Sequence, residues 1–436
     1  MNKREISVGI IGFGTVGSGT ARILLENSDI IKSRTGFEIK LRKIADQDIT
    51  RDRGMEVPDG VLTTDTRGLL NDPDIDIVVE LIGGIHPAKD FMLQAIKNKK
   101  HVVTANKALL ATEGNELFAA ARVNGVELGF EAAVAGGIPI IKVLREGLVA
   151  NRLIAIYGII NGTSNFILTK MTDDKVEFSD ALREAQQLGY AEADPTFDIE
   201  GIDTAHKLTI LASLAYGIPL SYNDVYREGI TRITARDIDF AAEFGYKIKL
   251  LAIAKSDNGE IEMRVHPTMV PIEYLISKID GVFNAVYVEG DAVGSTLYYG
   301  RGAGDLPTGS AVVADIVDIG KNIISGGCAR VSGICADGAQ GVKKVRKMED
   351  IKSMYYFRFS ALDKPGVLSN ISGILGNYNI SIASVIQKGR SVVGSVPLVV
   401  LTHRACERDV MKAVAEIDNL PTVSDKTLFI RVEGKD

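Results

Sequence analysis

The sequence predicts an α/β protein in three parts: a parallel sheet covered on both faces, an α+β middle, and a small β-α-β-β-α-β module at the end. Three observations carry this. The first third alternates short apolar runs with helical patterns, the order that builds a covered parallel sheet. From about residue 150 to 300, strand-like segments are grouped after a run of helices, as in a separate α+β domain. From residue 353 onward the order is that of a ferredoxin-like fold. A chain of 436 residues fits several domains, at roughly 100–200 residues each.

In order, Ile6–Ile11 reads as a buried strand and Thr15–Asn27 as the helix after it. Phe37–Ala45, Asp76–Ile82 and His101–Thr104 read as further strands, with helices at Ala88–Lys97 and Asn115–Val123. Leu153–Ile160 opens the middle part, and helices follow as far as Tyr216. Strands are expected at Ile248–Lys255, Glu260–His266 and Val282–Glu289, then a helix at Ala311–Ile324. The polar, basic stretch 339–352 reads as a linker. In the last module the strands are Tyr355–Leu362, Ile380–Gln387, Pro397–Thr402 and Leu428–Val432, and the helices Leu368–Asn377 and Glu407–Asp418. The expected domains are 1–150, completed by about 302–338, then 151–301, the linker 339–352, and 353–436.

Composition excludes several functions. The net charge is -6 and no basic stripe is present, which argues against a nucleic-acid partner. No run of 18 apolar residues exists, so no membrane span is expected. The three cysteines, Cys328, Cys335 and Cys406, form neither a disulfide framework nor a CxxC metal pair. The N-terminus shows no signal peptide, and a cytoplasmic location is expected.

Gly12-Phe13-Gly14-Thr15-Val16-Gly17 is a GxGxxG loop lying between a buried strand and a helix. Gly12 would make the turn, Gly14 would admit a pyrophosphate and Gly17 would let helix and strand pack. The helix N-terminus would attract the phosphates. The competing reading is a plain glycine turn. With its context, the motif makes the first part a Rossmann-type dinucleotide-binding domain. Asp46 follows the second strand, but Arg42, Lys43, Arg51 and Arg53 are close by. An acid favours NAD and an arginine NADP, so the choice stays open.

Asp203 and Lys207 lie four apart on a predicted helix Ile199–Tyr216, whose second half is apolar nearly all round. A surface ion pair is the ordinary explanation. An all-apolar helix is buried, however, so this pair is expected at a cleft floor, where surroundings tune pKa. Just upstream, the loop Leu188–Asp198 carries Glu192, Asp194 and Asp198. A nucleotide site, an acidic loop and a partly buried lysine together suggest hydride transfer to an amino-bearing carbonyl compound.

The Gly12–Gly17 loop, Thr104-Ala105-Asn106-Lys107, Gly162-Thr163, Leu188–Pro195 and Asp203-Thr-Ala-His-Lys207 resemble the homoserine dehydrogenase family, over residues 1 to about 330. The resemblance implies reversible NAD(P)H-dependent reduction of L-aspartate 4-semialdehyde to L-homoserine, in threonine, methionine and isoleucine biosynthesis. It implies Lys207 as proton donor, with Asp203 and Lys107 as the other catalytic residues. Gly162, Thr163, Tyr190, Glu192, Asp198 and Asp203 would bind substrate. Gly12, Phe13, Gly14, Thr15, Val16, Gly17, Ala45, Thr104, Lys107 and Gly304 would meet the cofactor, NADP or NAD. Two neighbouring lysines would each lower the other's pKa.

Glu131-Ala-Ala-Val-Ala-Gly-Gly-Ile-Pro139 resembles the family's monovalent-cation site, with the Glu131 side chain and the carbonyls of Val134, Gly136 and Ile138 around sodium. A glycine-rich turn before a helix is the bland alternative. The last module, with Asp363-Lys364-Pro365-Gly366-Val367 after its first strand, resembles an ACT domain. That implies pairing into a homodimer or tetramer and threonine as an effector. The strand near the chain start implies the monofunctional form, with no aspartate kinase upstream. Two other readings compete: a Rossmann reductase acting on a different small carbonyl compound, and a non-enzymatic amino-acid sensor. The first would not need the acidic loop, and the second would not need Lys207 on a buried helix.

Overall fold

The computed structural model describes residues 5–327, 344–387 and 395–434. Cys328, Cys335 and linker residues 339–343 lie outside the described residues. The chain divides into two compact units, Met1–Ile160 with Asp203–Val225 and Phe283–Lys343, and Asn161–Ile202 with Tyr226–Val282 and Lys344–Asp436.

The first unit is built on a six-stranded sheet in the order 3-2-1-4-5-6. Its strands, in chain order, are Glu5–Ile11, Glu38–Ala45, Leu62–Thr63, Ile77–Glu80, His101–Thr104 and Leu128–Gly129. Every pairing is parallel, and this is the strand order of dinucleotide-binding folds. The central strands are buried on both faces, which is why they read as unbroken apolar runs rather than alternating ones. The two-residue edge strands carry too few residues to show a period, and the sequence reading lacks them.

The helix Asp305–Ser325 packs on the first helix, Thr15–Glu26, through two glycines. A Cβ at Gly19 would lie 2.3 Å from the Asp305 carbonyl oxygen, and one at Gly309 would lie 2.8 Å from the Gly19 carbonyl carbon. The described residues after 304 therefore pack on the helices of the nucleotide sheet. This helix starts six residues before the predicted Ala311, because Pro307 falls in its first turn, where its missing N–H costs nothing. A second sheet in this unit joins Leu153–Ile159, Phe283–Gly290 and Gly294–Arg301, all antiparallel. The last of these strands is not anticipated from the sequence.

The second unit centres on the hairpin Tyr246–Asp257 and Glu260–Pro271, paired along its whole length. Asn258 and Gly259 turn it with positive φ values of 49° and 82°, as a tight hairpin turn demands. Strand Leu428–Val432 pairs parallel with the second hairpin strand and antiparallel with Lys352–Leu362. Ser395–Thr402 and Ile382–Gln387 complete the sheet. This is the ferredoxin-like order, with the helices Val367–Asn377 and Glu407–Ile417 over an apolar core that includes Tyr355, Phe357 and Phe359. The described part of the predicted linker is ordered: Lys344–Val345 pairs with Glu260–Ile261, and Arg346 bonds Glu260 and Glu262.

Buried charge ties the terminal module to the hairpin. Arg431, 1% exposed, is bonded by Glu407 and Glu228, and Arg264 is bonded by Glu433.

Candidate functional site

The glycine loop begins where the first strand ends. The Gly12 amide donates to the Ala45 carbonyl at 2.8 Å, and the Phe13 amide to the Asp46 carboxylate at 2.6 Å. Gly12 has φ +101°, a conformation that strains any other residue. A Cβ at Gly17 would sit 2.1 Å from the Gly12 oxygen, so the helix can approach the loop only with glycine there. Gly14 is exposed, and a Cβ there would meet nothing within 4 Å. Open space over a helix N-terminus, next to exposed Thr15 and half-buried Val16, fits a dinucleotide pyrophosphate. Arg53 lies against the same loop, donating to the Phe13 carbonyl and stacking on the Phe13 ring at 5.1 Å.

Lys107 is the first residue of a helix, Lys107–Asn124, that begins eight residues before the predicted Asn115. Asn106 caps it, accepting from the Leu109 amide at 3.1 Å and donating to the Gly84 carbonyl at 2.7 Å. The Thr104 hydroxyl donates to Glu80 at 2.8 Å, and Glu80 accepts from the amides of Ile82 and Gly83. Thr104 thus braces the loop 82–84 from a fully buried position. Burial pushes the Glu80 carboxyl above its ordinary pKa, against the pull of its hydrogen bonds. The sequence assigns Glu80 no role, and Asn106 stands there only as part of the Thr104–Lys107 motif. The legible signals are an acid ending an apolar run and an asparagine just before a helix.

The helix Ile202–Tyr216 is buried over nearly its whole length. The Lys207 ammonium donates to Asp203 and to the Ile160 carbonyl, both at 2.6 Å. Asp203 reaches Lys107 with its other oxygen at 3.2 Å. The side chains of Asp203 and Lys207 are 5% and 11% exposed, while that of Lys107 is 36% exposed. A buried carboxylate therefore stands between two ammonium groups. Its charge offsets their repulsion.

In the second unit, Asn161 caps the helix Gly162–Asp174, so the half-buried Gly162 and Thr163 form its first turn. The Thr163 hydroxyl donates to the Tyr190 carbonyl at 2.6 Å, and Asn161 donates to Asp198 at 2.6 Å. Gly162, Thr163, Tyr190 and Asp198 are thereby brought together. The Glu192 side chain is exposed on the same loop, and its carbonyl accepts from Gln186 at 3.1 Å.

Elsewhere in the first unit, the Glu131 carboxylate accepts from the Ile141 and Lys142 amides at 2.8 and 2.9 Å. It caps the helical turn after Val134, Gly136 and Ile138, all of which are buried. Burial pushes its carboxyl up to about 7. Gly304, at φ +124°, is the exposed residue that starts the helix Asp305–Ser325.

A dinucleotide loop on a parallel sheet, in one unit with a buried lysine on its own carboxylate, defines a nicotinamide-dependent oxidoreductase. The family model described as "Homoserine dehydrogenase" matches residues 139–317, and "Homoserine dehydrogenase, NAD binding domain" matches 12–131. "ACT domain" matches 355–422. The homoserine dehydrogenase of Pseudomonas aeruginosa is 49% identical and that of Neisseria gonorrhoeae 47% identical, each alignment covering 99% of both chains. A solved homoserine dehydrogenase from Thiobacillus denitrificans is 50% identical, with TM-score 0.93 and 98% of each chain covered. A hyperthermophilic archaeal homoserine dehydrogenase solved with NADPH is 29% identical, with TM-score 0.61, over 72% of this chain and 98% of its own. The chain belongs to the homoserine dehydrogenase family.

Proposed function

We propose that the protein reversibly reduces L-aspartate 4-semialdehyde to L-homoserine, in the route to threonine, methionine and isoleucine. The observation that carries this is the Lys207–Asp203 pair on a buried helix, with Lys107 from another helix on the same carboxylate. When bound, the nicotinamide cofactor supplies or accepts the hydride. Lys207 gives its proton to the aldehyde oxygen as that oxygen gains charge, and takes it back in the oxidation. Asp203 holds the Lys207 side chain in place, and Lys107 adds positive charge beside the reacting carbonyl. Glu192 and Asp198 take the substrate ammonium, with Tyr190, Gly162 and Thr163 shaping the pocket around it. Gly12 to Gly17, Ala45, Thr104, Lys107 and Gly304 belong to the cofactor's side.

The finer assignments rest on the family resemblance. The domains are those of the sequence reading: 1–150 with 302–338, 151–301, and 353–436 after a linker. The Glu131 side chain and the carbonyls of Val134, Gly136 and Ile138 would hold sodium. Threonine would act through the ACT domain, around Gly366. The enzyme would work in the cytoplasm as a homodimer or tetramer. No described helix is long and apolar enough to cross a membrane.

The test is NAD(P)H oxidation with aspartate semialdehyde. An inactive wild type sinks the proposal, and full activity in Lys207→Ala sinks the role of Lys207. NADH and NADPH compared side by side give the cofactor preference. Replacing sodium by choline should lower activity if the cation site is used. Millimolar threonine should inhibit the full chain, and an unchanged rate would remove the effector role.

A further inference from the structure

We propose that Asn161 is a positioning residue for the substrate, holding Asp198 in its binding orientation. The inference rests on the reading of Asp198 as a substrate-binding acid. Asn161 is buried, and its side-chain oxygen accepts from the Ser164 amide at 2.8 Å. That bond caps the helix Gly162–Asp174 and settles which way the amide points. The amide nitrogen is therefore turned toward Asp198, which it meets at 2.6 Å. The orientation is forced, because a flipped amide would set two donors against each other at Ser164 and two acceptors against each other at Asp198.

Two further bonds complete the clamp. The Ser164 hydroxyl donates to the Asp198 carbonyl at 2.9 Å, and the Thr163 hydroxyl to the Tyr190 carbonyl at 2.6 Å. Backbone and side chain of Asp198 are thus held from one helix turn, the turn that presents Gly162 and Thr163. A carboxylate freed from this bond would have to order itself when the substrate ammonium arrives, and that cost falls on binding rather than on proton transfer.

The test separates capping from positioning. Serine and aspartate cap helices about as well as asparagine, so Asn161→Ser and Asn161→Asp keep the cap and lose the donor to Asp198. In homoserine oxidation, Asn161→Ser should raise the homoserine KM about tenfold, leaving kcat and the cofactor KM near wild type. Asn161→Asp should raise it further, because a second carboxylate faces Asp198. Asp198→Asn is the reference. If Asp198→Asn leaves the homoserine KM unchanged, the reading of Asp198 fails, and the inference with it. If Asp198→Asn raises that KM but Asn161→Ser does not, the inference alone is overturned. A KM change confined to Asn161→Ala and tracking a lowered Tm, with Asn161→Ser at wild-type KM, would make Asn161 a cap only and also overturn it.

Discussion

The buried Lys207 of the first unit and the buried Lys249 of the second are held in nearly the same way. Lys207 bonds a carboxylate, Asp203, and a backbone carbonyl, Ile160. Lys249 bonds a carboxylate, Asp280, and a backbone carbonyl, Ile279. Each carboxylate is shared with a second lysine, Lys107 in one cluster and Lys247 in the other. The clusters differ in which member faces outward. At Lys207 the carboxylate is buried and the second lysine is the most exposed member. At Lys249 the carboxylate is the exposed member, 39% against 2% for the lysine. Lys249 also spends its third proton on the Asn165 side chain at 3.1 Å, inside the core. An ammonium held by the Ile279 carbonyl and the Asn165 side chain inside the core braces the fold, and Asn165 in turn binds the Ile279 and Gly281 carbonyls. On the proposed function, a lysine whose carboxylate leads through a second, half-exposed lysine carries the chemistry. The same residue types would then do two jobs, with only their surroundings to separate them.

Substitutions test that division, and the largest effect falls on the first cluster. Lys207→Ala should lower kcat by about a hundred- to ten-thousand-fold, the range for loss of a positioned acid, in steady-state assays with aspartate semialdehyde. Lys107→Ala should cost about tenfold in kcat/KM, as one charged contact does. A wild-type rate in either variant would dissolve the distinction. Lys249→Met should act on stability instead, lowering it by about 1–3 kcal/mol in urea unfolding through the lost bonds to the Ile279 carbonyl and the Asn165 side chain, with kcat of the folded enzyme within twofold.

Lys249 also carries a pH signature. Burial lowers its pKa by more than Asp280 restores. Between that lowered value and the ordinary lysine pKa, the unfolded chain holds a proton that the folded chain lacks. This group's contribution therefore makes stability rise with pH across the window. The stability difference between wild type and Lys249→Met should grow as pH climbs toward the ordinary lysine value, and a constant difference in urea midpoints would contradict it. Lys247→Ala comes last, at under about 1 kcal/mol, because its partner is well exposed.

Much of the first cluster was legible. The i,i+4 spacing of Asp203 and Lys207, leading into an apolar helix, marks a buried pair, and the structure buries it. Lys249 gave no comparable sign. It sits in a strand run, and a single lysine among apolar residues reads as an outward-facing position until Asn165 and Ile279, far away in sequence, are brought against it. Lys107 is legible in its motif, but the helix it begins reads from the sequence as starting at Asn115, because the true start depends on a cap whose oxygen the sequence shows only as an asparagine. Glu80 was hidden for a similar reason. Its partners are backbone amides two and three residues on and a hydroxyl from a neighbouring strand.

The sequence by itself determined what depends on local order and on residue type: the parallel sheet from its apolar runs, the glycine loop from its spacing, the terminal module from its element order, and the family from five short motifs. Tertiary structure alone decided what depends on the meeting of distant segments. It set Lys107 against Asp203, turned the Asn161 amide toward Asp198, and ran the terminal module's sheet on from the Glu260–Pro271 strand. Those outcomes are hydrogen bonds and ion pairs between groups tens to hundreds of residues apart, and their strength depends on burial, which no local pattern records.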